Sequence, residues 1–225
     1  MSEFAIDAQR LARRYGRRWA LADVTFRVPP GSVVMVAGRN GSGKSTLLRV
    51  LATAIRPDNG NASIFGFDLV KQREDVRRAV ALLSHYSYLY ESLTAKENLQ
   101  VTADHLGVSR DSIPALLDQV ELGPRADDAV ATFSAGMRKR LSFARVLMQK
   151  PRVVLLDEPY GQLDPPGFAL VDEVVSALKA RGTTVLMATH QLERGAQQSD
   201  LAIFLEEGRL QWSGKAAEAP LGATR

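Results

Sequence analysis

The stretch Gly38–Thr46, with the sequence GRNGSGKST, constrains this chain more than any other. It fits the pattern G-x-x-x-x-G-K-[ST], in which Lys44 and Ser45 follow the second fixed glycine. The apolar run Val33–Ala37 precedes it, and Leu47–Ala52 has the composition of a helix. Strand, glycine-rich loop and helix in this order surround a phosphate with backbone N–H groups and a helix dipole. We therefore predict that Lys44 reaches the outer phosphates of a nucleotide and that the Ser45 hydroxyl ligates Mg²⁺.

Every residue of this loop is a predicted nucleotide contact, namely Gly38, Arg39, Asn40, Gly41, Ser42, Gly43, Lys44, Ser45 and Thr46. The alternative is a chance glycine turn. Four constrained positions arise by chance in roughly 1% of chains of this length at average residue usage. The flanking strand and helix make a chance match rarer still.

Length and composition set the limits of the prediction. The 225 residues suffice for one large domain or two small ones, and 45% hydrophobic residues support a sizeable core. The net charge of +4 is too small to indicate a nucleic-acid partner, and we expect none. Without cysteine there is no disulfide framework. The first residues lack a signal-peptide pattern, and no uncharged apolar run approaches the ~18 residues of a membrane span. We expect a cytosolic protein whose membrane role, if any, comes through a partner.

Four further apolar runs read as buried strands: Val80–Ser84, Val153–Asp157, Thr183–Ala188 and Leu201–Leu205. Strands of this kind that alternate with helices predict a parallel sheet covered on both faces. Residues 4–28 alternate in the manner of antiparallel strands, whereas residues 86–148 read as mostly helical. The chain is thus predicted to be α/β, with a helical insertion in the parallel sheet.

Several local signals place the helices of that insertion. Thr94–Glu97 has the form of a capping box, so a helix should run to about Leu106 and stop at Gly107. A second helix should begin near Ser109 and end at Gly123.

Three side chains past strand ends carry the predicted chemistry. Asp157 ends an apolar run, as a Mg²⁺-orienting carboxylate should, and the adjacent Glu158 can polarise a water. His190 follows another buried strand. Ligands of parallel sheets bind beyond the carboxyl ends of the strands, so one site could gather Gly38, Asp157 and His190. The alternatives are a plain acidic turn at Asp157 and a structural role for His190.

A second candidate anion site precedes the amphipathic helix Arg138–Met148. Ser134 is a good N-cap for that helix, which alone would explain it. A helix N-terminus with small residues, here Ala135 and Gly136, also binds anions.

Taken together, these motifs resemble the nucleotide-binding subunits of ATP-binding cassette (ABC) transporters over roughly residues 4–213. The resemblance makes Gly38–Thr46 the Walker A loop and Val153–Glu158 the Walker B motif, with Glu158 as catalytic glutamate. It also makes Tyr15 the aromatic that stacks on adenine, and it makes Ser134, Ala135, Gly136 and Met137 the signature motif. The D-loop is then Leu163 and Asp164. The switch histidine is His190, and the lid residue that contacts Mg²⁺ and water is His85.

The resemblance implies a fold and an assembly. The fold would be a P-loop NTPase (RecA-like) core with an antiparallel β subdomain and an inserted helical subdomain at about 86–148. Residues 1–215 would form one ABC domain, followed by a disordered tail at 216–225. Two subunits, most simply a homodimer, would pack head to tail around two ATP molecules, each signature motif touching the γ-phosphate bound by the other subunit. Hydrolysis would drive a separate transmembrane permease, and binding to that permease would hold the chain at the inner face of the cell membrane.

Three positions depart from the family pattern. His85 stands where the lid residue is normally glutamine, Ala135 replaces the first signature glycine, and Met137 replaces the final signature glutamine. These changes could slow hydrolysis. They spare the phosphate loop, Asp157 and Glu158.

A narrower resemblance points to the haem exporter ATPase of cytochrome c maturation, through Ser84-His85, Leu89-Tyr90, Leu93–Leu99 and Thr189–Gly195. It implies haem export; the alternative is the ATPase of another exporter, for drugs, lipids or polysaccharides. The broader ABC transporter resemblance makes Tyr86, Tyr88 and Tyr90, which follow the lid position, the expected permease contacts; the alternative is that they are buried in the helical subdomain. A soluble ABC ATPase acting on ribosomes or DNA is disfavoured because this chain has one cassette and no heptad run. A small-molecule P-loop kinase is disfavoured by the signature motif.

Overall fold

The computed structural model of this chain describes residues 3–84 and 87–220. Its described residues fall into two compact units. The first unit contains the described residues within 1–84, 152–159 and 172–225. The second unit contains the described residues within 85–151 and 160–171. His85 and Tyr86, which figured in the sequence predictions, lie outside the described residues.

The elements alternate along the chain as the apolar runs predict. The strands are β1 (Ile6–Tyr15), β2 (Arg18–Val28), β3 (Val33–Ala37), β4 (Asn59–Ile64), β5 (Phe67–Asp68), β6 (Val80–Leu83), β7 (Val153–Asp157), β8 (Thr184–Ala188), β9 (Leu201–Glu206) and β10 (Arg209–Lys215). The helices are α1 (Lys44–Leu51), α2 (Arg73–Ala79), α3 (Ala95–Leu106), α4 (Ile113–Gln119), α5 (Ala135–Met148), α6 (Pro165–Ala180) and α7 (Leu192–Gln198).

The larger sheet of the first unit has the strand order β10-β9-β3-β8-β7-β6. Strands β9, β3, β8, β7 and β6 pair in parallel, and β10 joins the edge antiparallel to β9. Every residue of β3, β7 and β8 is buried, as the unbroken apolar runs predict for strands covered on both faces. Because these three strands are parallel neighbours, the residues that follow them meet at one edge of the sheet.

The smaller sheet of the first unit is antiparallel, with the order β2-β1-β4-β5. Its inward side chains join those of the larger sheet and of α1 in one hydrophobic core, which includes Ile6, Val24, Val36, Leu48 and Leu155. The antiparallel strands predicted for residues 4–28 are therefore confirmed as β1 and β2.

The second unit contains the predicted helical segment, with α3, α4 and α5 packed on one another. Thr94 caps α3 in a complete capping box, and Gly107, at φ 66°, ends it as predicted. The next helix is shorter than expected, because a 3-10 turn at Arg110–Ser112 precedes α4 and the helix ends at Gln119. Glu121 follows with φ 57°, a left-handed conformation that no α-helix can continue through.

Two other expectations need correction. Residues 216–225 were expected to form a disordered tail, but Ala216–Glu218 forms a 3-10 helix and Ala216 is buried beside Met35 and Phe204. Residues 221–225 lie outside the described part of the chain. The polar helix α2, in which two residues are buried, was not predicted.

The fold class is the predicted one. The structure is an α/β protein with a parallel P-loop core, an antiparallel β sheet and an inserted helical segment. Among the described residues, no helix combines the length and apolar character that crossing a membrane requires.

Candidate nucleotide-binding and catalytic site

The loop between β3 and α1 needs glycine for conformation and for space. Gly38, Gly41 and Gly43 have φ of 146°, 79° and 110°, values that side chains strongly disfavour. A Cβ at Gly38 would lie 2.2 Å from the carbonyl oxygen of Leu205, and one at Gly43 would lie 2.3 Å from that of Ala20. The loop therefore has the close-packed, left-handed turns that aim backbone N–H groups at an anion.

The remaining loop residues differ in exposure. Arg39, Asn40 and Gly41 are exposed, whereas Thr46 is half-buried on α1. Ser42 is buried, and its Oγ has no hydrogen-bond partner among the described residues. An unpartnered hydroxyl inside a phosphate loop fits a site that binds polar oxygen atoms.

Lys44 is the buried cation of the loop. Its Nζ donates hydrogen bonds to the carbonyl oxygens of Gly38, at 2.7 Å, and Arg39, at 3.2 Å. Burial lowers the pKa of Lys44, and the nearby charges of Glu158 and Asp157 oppose this shift. The ammonium group is thus held over the loop at a desolvation cost, which an anionic phosphate would offset.

Ser45 and Asp157 form the second part of the site. The Ser45 hydroxyl donates to Asp157 Oδ1 at 2.8 Å, and Asp157, at the end of β7, is 2% exposed. Both are oxygen donors of the kind that Mg²⁺ prefers. No group of three or more His, Asp or Glu side chains among residues 3–84 and 87–220 could hold a metal. The oxygen chemistry of Ser45 and Asp157 is compatible with a Mg²⁺ ion.

Glu158 and His190 form the third part. The Nδ1 of His190 lies 2.7 Å from Glu158 Oε2, and the His190 backbone N–H donates to the same oxygen at 3.3 Å. Glu158 has φ 51°, and its own N–H donates to the Ala188 carbonyl at the end of β8. The contact places a proton on Nδ1 when the imidazole is neutral. His190 thus contacts Oε2 of the Glu158 carboxylate through both its ring and its backbone N–H.

Tyr15 and Arg18 approach the loop from the β1–β2 hairpin. Tyr15 is 46% exposed and pairs with Arg18 across the hairpin, and the Arg13 guanidinium lies 5.1 Å from its ring centre. Arg18 Nη2 donates to the Gly41 carbonyl at 3.4 Å. Arg18 therefore contacts the loop, and the role of its neighbour Tyr15 as the adenine-stacking residue stays a prediction. Sequence reasoning missed Arg18; the arginine-rich run around Tyr15 was the available signal.

The signature segment lies in the second unit. Ser134 caps α5, its Oγ accepting from the Met137 N–H at 3.2 Å, which confirms the predicted N-cap. Asp164 accepts from the Gly167 N–H at the start of α6. Signature and D-loop residues line one open pocket of about 580 Å³, formed by Glu121, Leu122, Arg125, Ser134, Ala135, Gly136, Met137, Arg140, Gln162 and Asp164. Leu163 packs beside it, since a Cβ at Gly136 would lie 3.7 Å from its Cδ2.

The structure thus gathers most predicted residues into two groups, one in each unit. Gly38–Thr46, Asp157, Glu158 and His190 share the first, and the signature and D-loop share the second. His85, predicted to act in catalysis and at the metal, lies outside the described residues, so its role stays a prediction.

These features define a P-loop nucleotide-binding protein of the α/β class. The family model described as ABC transporter matches residues 21–161, and the chain belongs to the ABC transporter family. It binds and hydrolyses ATP as the ATPase component of that family.

Curated relatives match almost the whole chain. It is 39% identical to daunorubicin resistance ATP-binding protein DrrA3 of Streptomyces coeruleorubidus, over 97% of this chain and 70% of the relative. It is 35% identical to Nod factor export ATP-binding protein I of Burkholderia thailandensis, over 93% of this chain and 70% of the relative. The chain spans 66 to 70% of the length of the first three curated relatives that it matches. These names support the alternative of another exporter over haem export.

Solved structures agree with the fold. The structure of an ATP-binding subunit of an ABC transporter has a TM-score of 0.87 at 31% identity, covering 94% of this chain and 90% of that one. A dimeric structure of the bacterial ABC transporter cassette MJ0796 has a TM-score of 0.85 at 25% identity, covering 94% and 98%.

Proposed function

We propose that this chain is the ATP-hydrolysing subunit of an exporter whose cargo crosses the membrane through a separate permease. The observation that carries the proposal is the 34 to 39% identity to drug-resistance and Nod factor export ATP-binding proteins over 92 to 97% of the chain. The cargo is then an organic molecule exported from the cell, and the chain works at the inner face of the cell membrane.

The residues of the first unit divide the chemistry between them. Lys44 and the loop N–H groups hold the phosphates, and Glu158, oriented by His190, accepts a hydrogen bond from the attacking water. Ser45 and Asp157 would hold Mg²⁺, which when bound neutralises charge on the phosphate oxygens.

The signature group of the second unit serves another copy of the chain in this proposal. Ser134 and Gly136 would touch the γ-phosphate bound by a second subunit, as the family resemblance implies. The open pocket and the N-terminus of α5 support this, as does the dimeric structure of the MJ0796 cassette. Ala135 is small enough for such an approach, whereas Met137 loses the polar contact of glutamine.

A surface for the permease follows the lid segment. Tyr88 and Tyr90 are 71% and 58% exposed, which contradicts the alternative that they are buried. Their backbone is fixed, because Arg145 donates to the Tyr88 carbonyl and Asn98 bonds both backbone groups of Tyr90. Exposed tyrosines on a fixed backbone suit an interface with one wet edge, so we propose them as permease contacts.

Purification of the tagged chain from native membranes tests the proposal. We expect an integral membrane protein to co-purify with the wild type and to be reduced by Tyr88→Ala combined with Tyr90→Ala. Lys71→Ala, an exposed change elsewhere, is the matched control. Recovery of the chain without any membrane protein, from membranes solubilised under several conditions, contradicts the proposal.

Haem export is the second candidate, suggested by the resemblance of Ser84-His85, Leu89-Tyr90, Leu93–Leu99 and Thr189–Gly195 to the haem exporter ATPase. Replacing the native chain with Glu158→Gln would then leave c-type apocytochromes without covalent haem. Haem-stained gels of membrane and periplasmic fractions measure this. Normal covalent haem eliminates this candidate and leaves the exporter proposal intact.

A further inference from the structure

Gly195 occupies an unusual place for a glycine. It lies in the middle of α7, is buried, and donates its N–H to the Gln191 carbonyl in a regular helical bond. Its φ is not positive, so the backbone does not require glycine here. Glycine is also the poorest helix former after proline. Space is the remaining physical reason for a glycine at this position.

The space beside Gly195 is filled by two buried side chains. A Cβ built on Gly195 would lie 2.8 Å from Met35 Sδ and 2.8 Å from Thr189 Cγ2. Real Cβ atoms essentially never approach so closely, so alanine at this position must displace something. Met35 and Thr189 are both fully buried, and neither can turn out into solvent.

Of these two neighbours, Thr189 is the stiffer. Methionine has three rotatable bonds and adapts readily, whereas the β-branched threonine has few χ1 choices. Thr189 Oγ1 also accepts from the Gln191 N–H at 3.0 Å, and its own N–H donates to the Val36 carbonyl. A push on its methyl group, or an outward shift of α7, therefore moves the backbone on either side of His190.

We infer that Gly195 is a positioning residue for His190. By allowing α7 to lie against Thr189 and Met35, it sets the backbone from which His190 reaches Glu158 at 2.7 Å. A shift of a few tenths of an ångström in that backbone lengthens the contact and loosens the carboxylate that orients the water. The inference rests on the proposed catalytic role of His190 and Glu158.

The first test compares Gly195→Ala with Gln197→Ala, an exposed change on the same helix. We expect Gly195→Ala to lower kcat about tenfold, because small displacements of catalytic groups have large effects on rate. The affinity for ATP should stay within about twofold, since Lys44 and the loop are untouched. Gln197→Ala should match the wild type in both measurements.

Two double variants separate positioning from general damage. Thr189→Ser keeps the hydroxyl and removes the methyl group that the new Cβ would meet, so Thr189→Ser with Gly195→Ala should regain most of the wild-type kcat. In a His190→Ala background, Gly195→Ala should cause no further loss of kcat, because it acts through that side chain. Thermal unfolding of each variant with MgATP confirms that the compared proteins are folded.

The outcomes distinguish the inference from the function beneath it. A wild-type kcat for His190→Ala overturns the proposed role of His190. A slow His190→Ala together with a wild-type rate for Gly195→Ala overturns this inference alone. The inference is also overturned if Gly195→Ala is folded and lowers kcat by the same factor in the His190→Ala protein as in the wild type.

Discussion

The phosphate-loop region of the first unit and the signature region of the second are built in opposite ways. In the first, side chains that would act together already touch: Ser45 bonds Asp157, and His190 bonds Glu158. In the second, the Ser134 hydroxyl and the Asp164 carboxylate cap the N-termini of their own helices. Their pocket is open, and the ion pair among its lining residues joins the Glu121 carboxylate to Arg140 rather than to a histidine.

This difference assigns a separate task to each region. The first has a buried cation, oxygen donors of the kind that Mg²⁺ prefers and a carboxylate in contact with a histidine, which are groups that phosphoryl transfer requires around the nucleotide. The second offers a helix N-terminus and small residues, which suffice to bind an anion that arrives from elsewhere. Changes in the first region should therefore abolish binding or turnover, and changes in the second should abolish assembly while leaving ATP binding intact.

The largest expected effect is that of Lys44→Ala. Removing one partner of a buried charge pair costs about 2–5 kcal/mol, so ATP affinity should fall by about 30-fold or more. Titration with a fluorescent ATP analogue measures this, and Lys71→Ala is the exposed control. An affinity within a few-fold of the wild type would show that this loop does not hold the phosphates.

Glu158→Gln should separate turnover from binding. The amide keeps the shape of the side chain but orients the water poorly, so steady-state hydrolysis should fall by about 100-fold or more while ATP still binds. As a control, Glu193→Gln removes the acid of an exposed glutamate on α7, and it should leave the rate unchanged. If Glu158→Gln hydrolyses ATP at the wild-type rate, Glu158 is not the residue that orients the attacking water.

Ser134→Arg sharpens the comparison from the second region. With Glu158→Gln in the background, MgATP should drive dimerisation, and the added Ser134→Arg should prevent it by filling the phosphate contact. ATP affinity should be unchanged. Light scattering measures the mass, with Gln119→Arg as the control outside the signature pocket. A dimer that survives Ser134→Arg would show that the signature segment is not in the contact.

The smallest expected effect concerns the stability of the protein without added nucleotide. The folded state lowers the pKa of Lys44, chiefly through burial, so between that pKa and the ordinary value the unfolded chain binds more protons. Stability contributed by this residue therefore rises with pH in the alkaline range. The Tm of the wild type relative to Lys44→Met should increase as pH rises through that range. A constant difference in Tm would mean that the lysine is not desolvated.

Local patterns in the sequence predicted the first region well. Val33–Ala37, Val153–Asp157 and Thr184–Ala188 are unbroken apolar strands, and parallel pairing places the residues after each strand at one edge. This parallel pairing explains why the phosphate loop lies beside Asp157 and why His190 lies beside Glu158. Arg18 could not be placed, because its contact with Gly41 depends on how the hairpin pairs across the sheet.

Other parts depended on tertiary packing. The helix α2 has Val76 and Ala79 as its buried residues, so its apolar periodicity is too weak to see. The buried Ala216 belongs to a cluster whose other members include residues far away in sequence, and a small residue near a chain end gave no signal. The close packing of Gly195 against Met35 and Thr189 likewise could not be predicted from the sequence, because it depends on how α7 lies against the strands.

Complementation between two inactive variants tests the central claim most directly. Glu158→Gln keeps an intact signature segment, and Ser134→Arg keeps an intact phosphate loop and Glu158. A mixed dimer would then contain one intact composite site, and we expect equal amounts of the two proteins to hydrolyse ATP well above the sum of their separate rates. For random pairing of two-site dimers, the recovered rate should approach about a quarter of the wild-type rate. A mixture that never exceeds the sum would contradict the claim that the two regions meet across two copies of the chain.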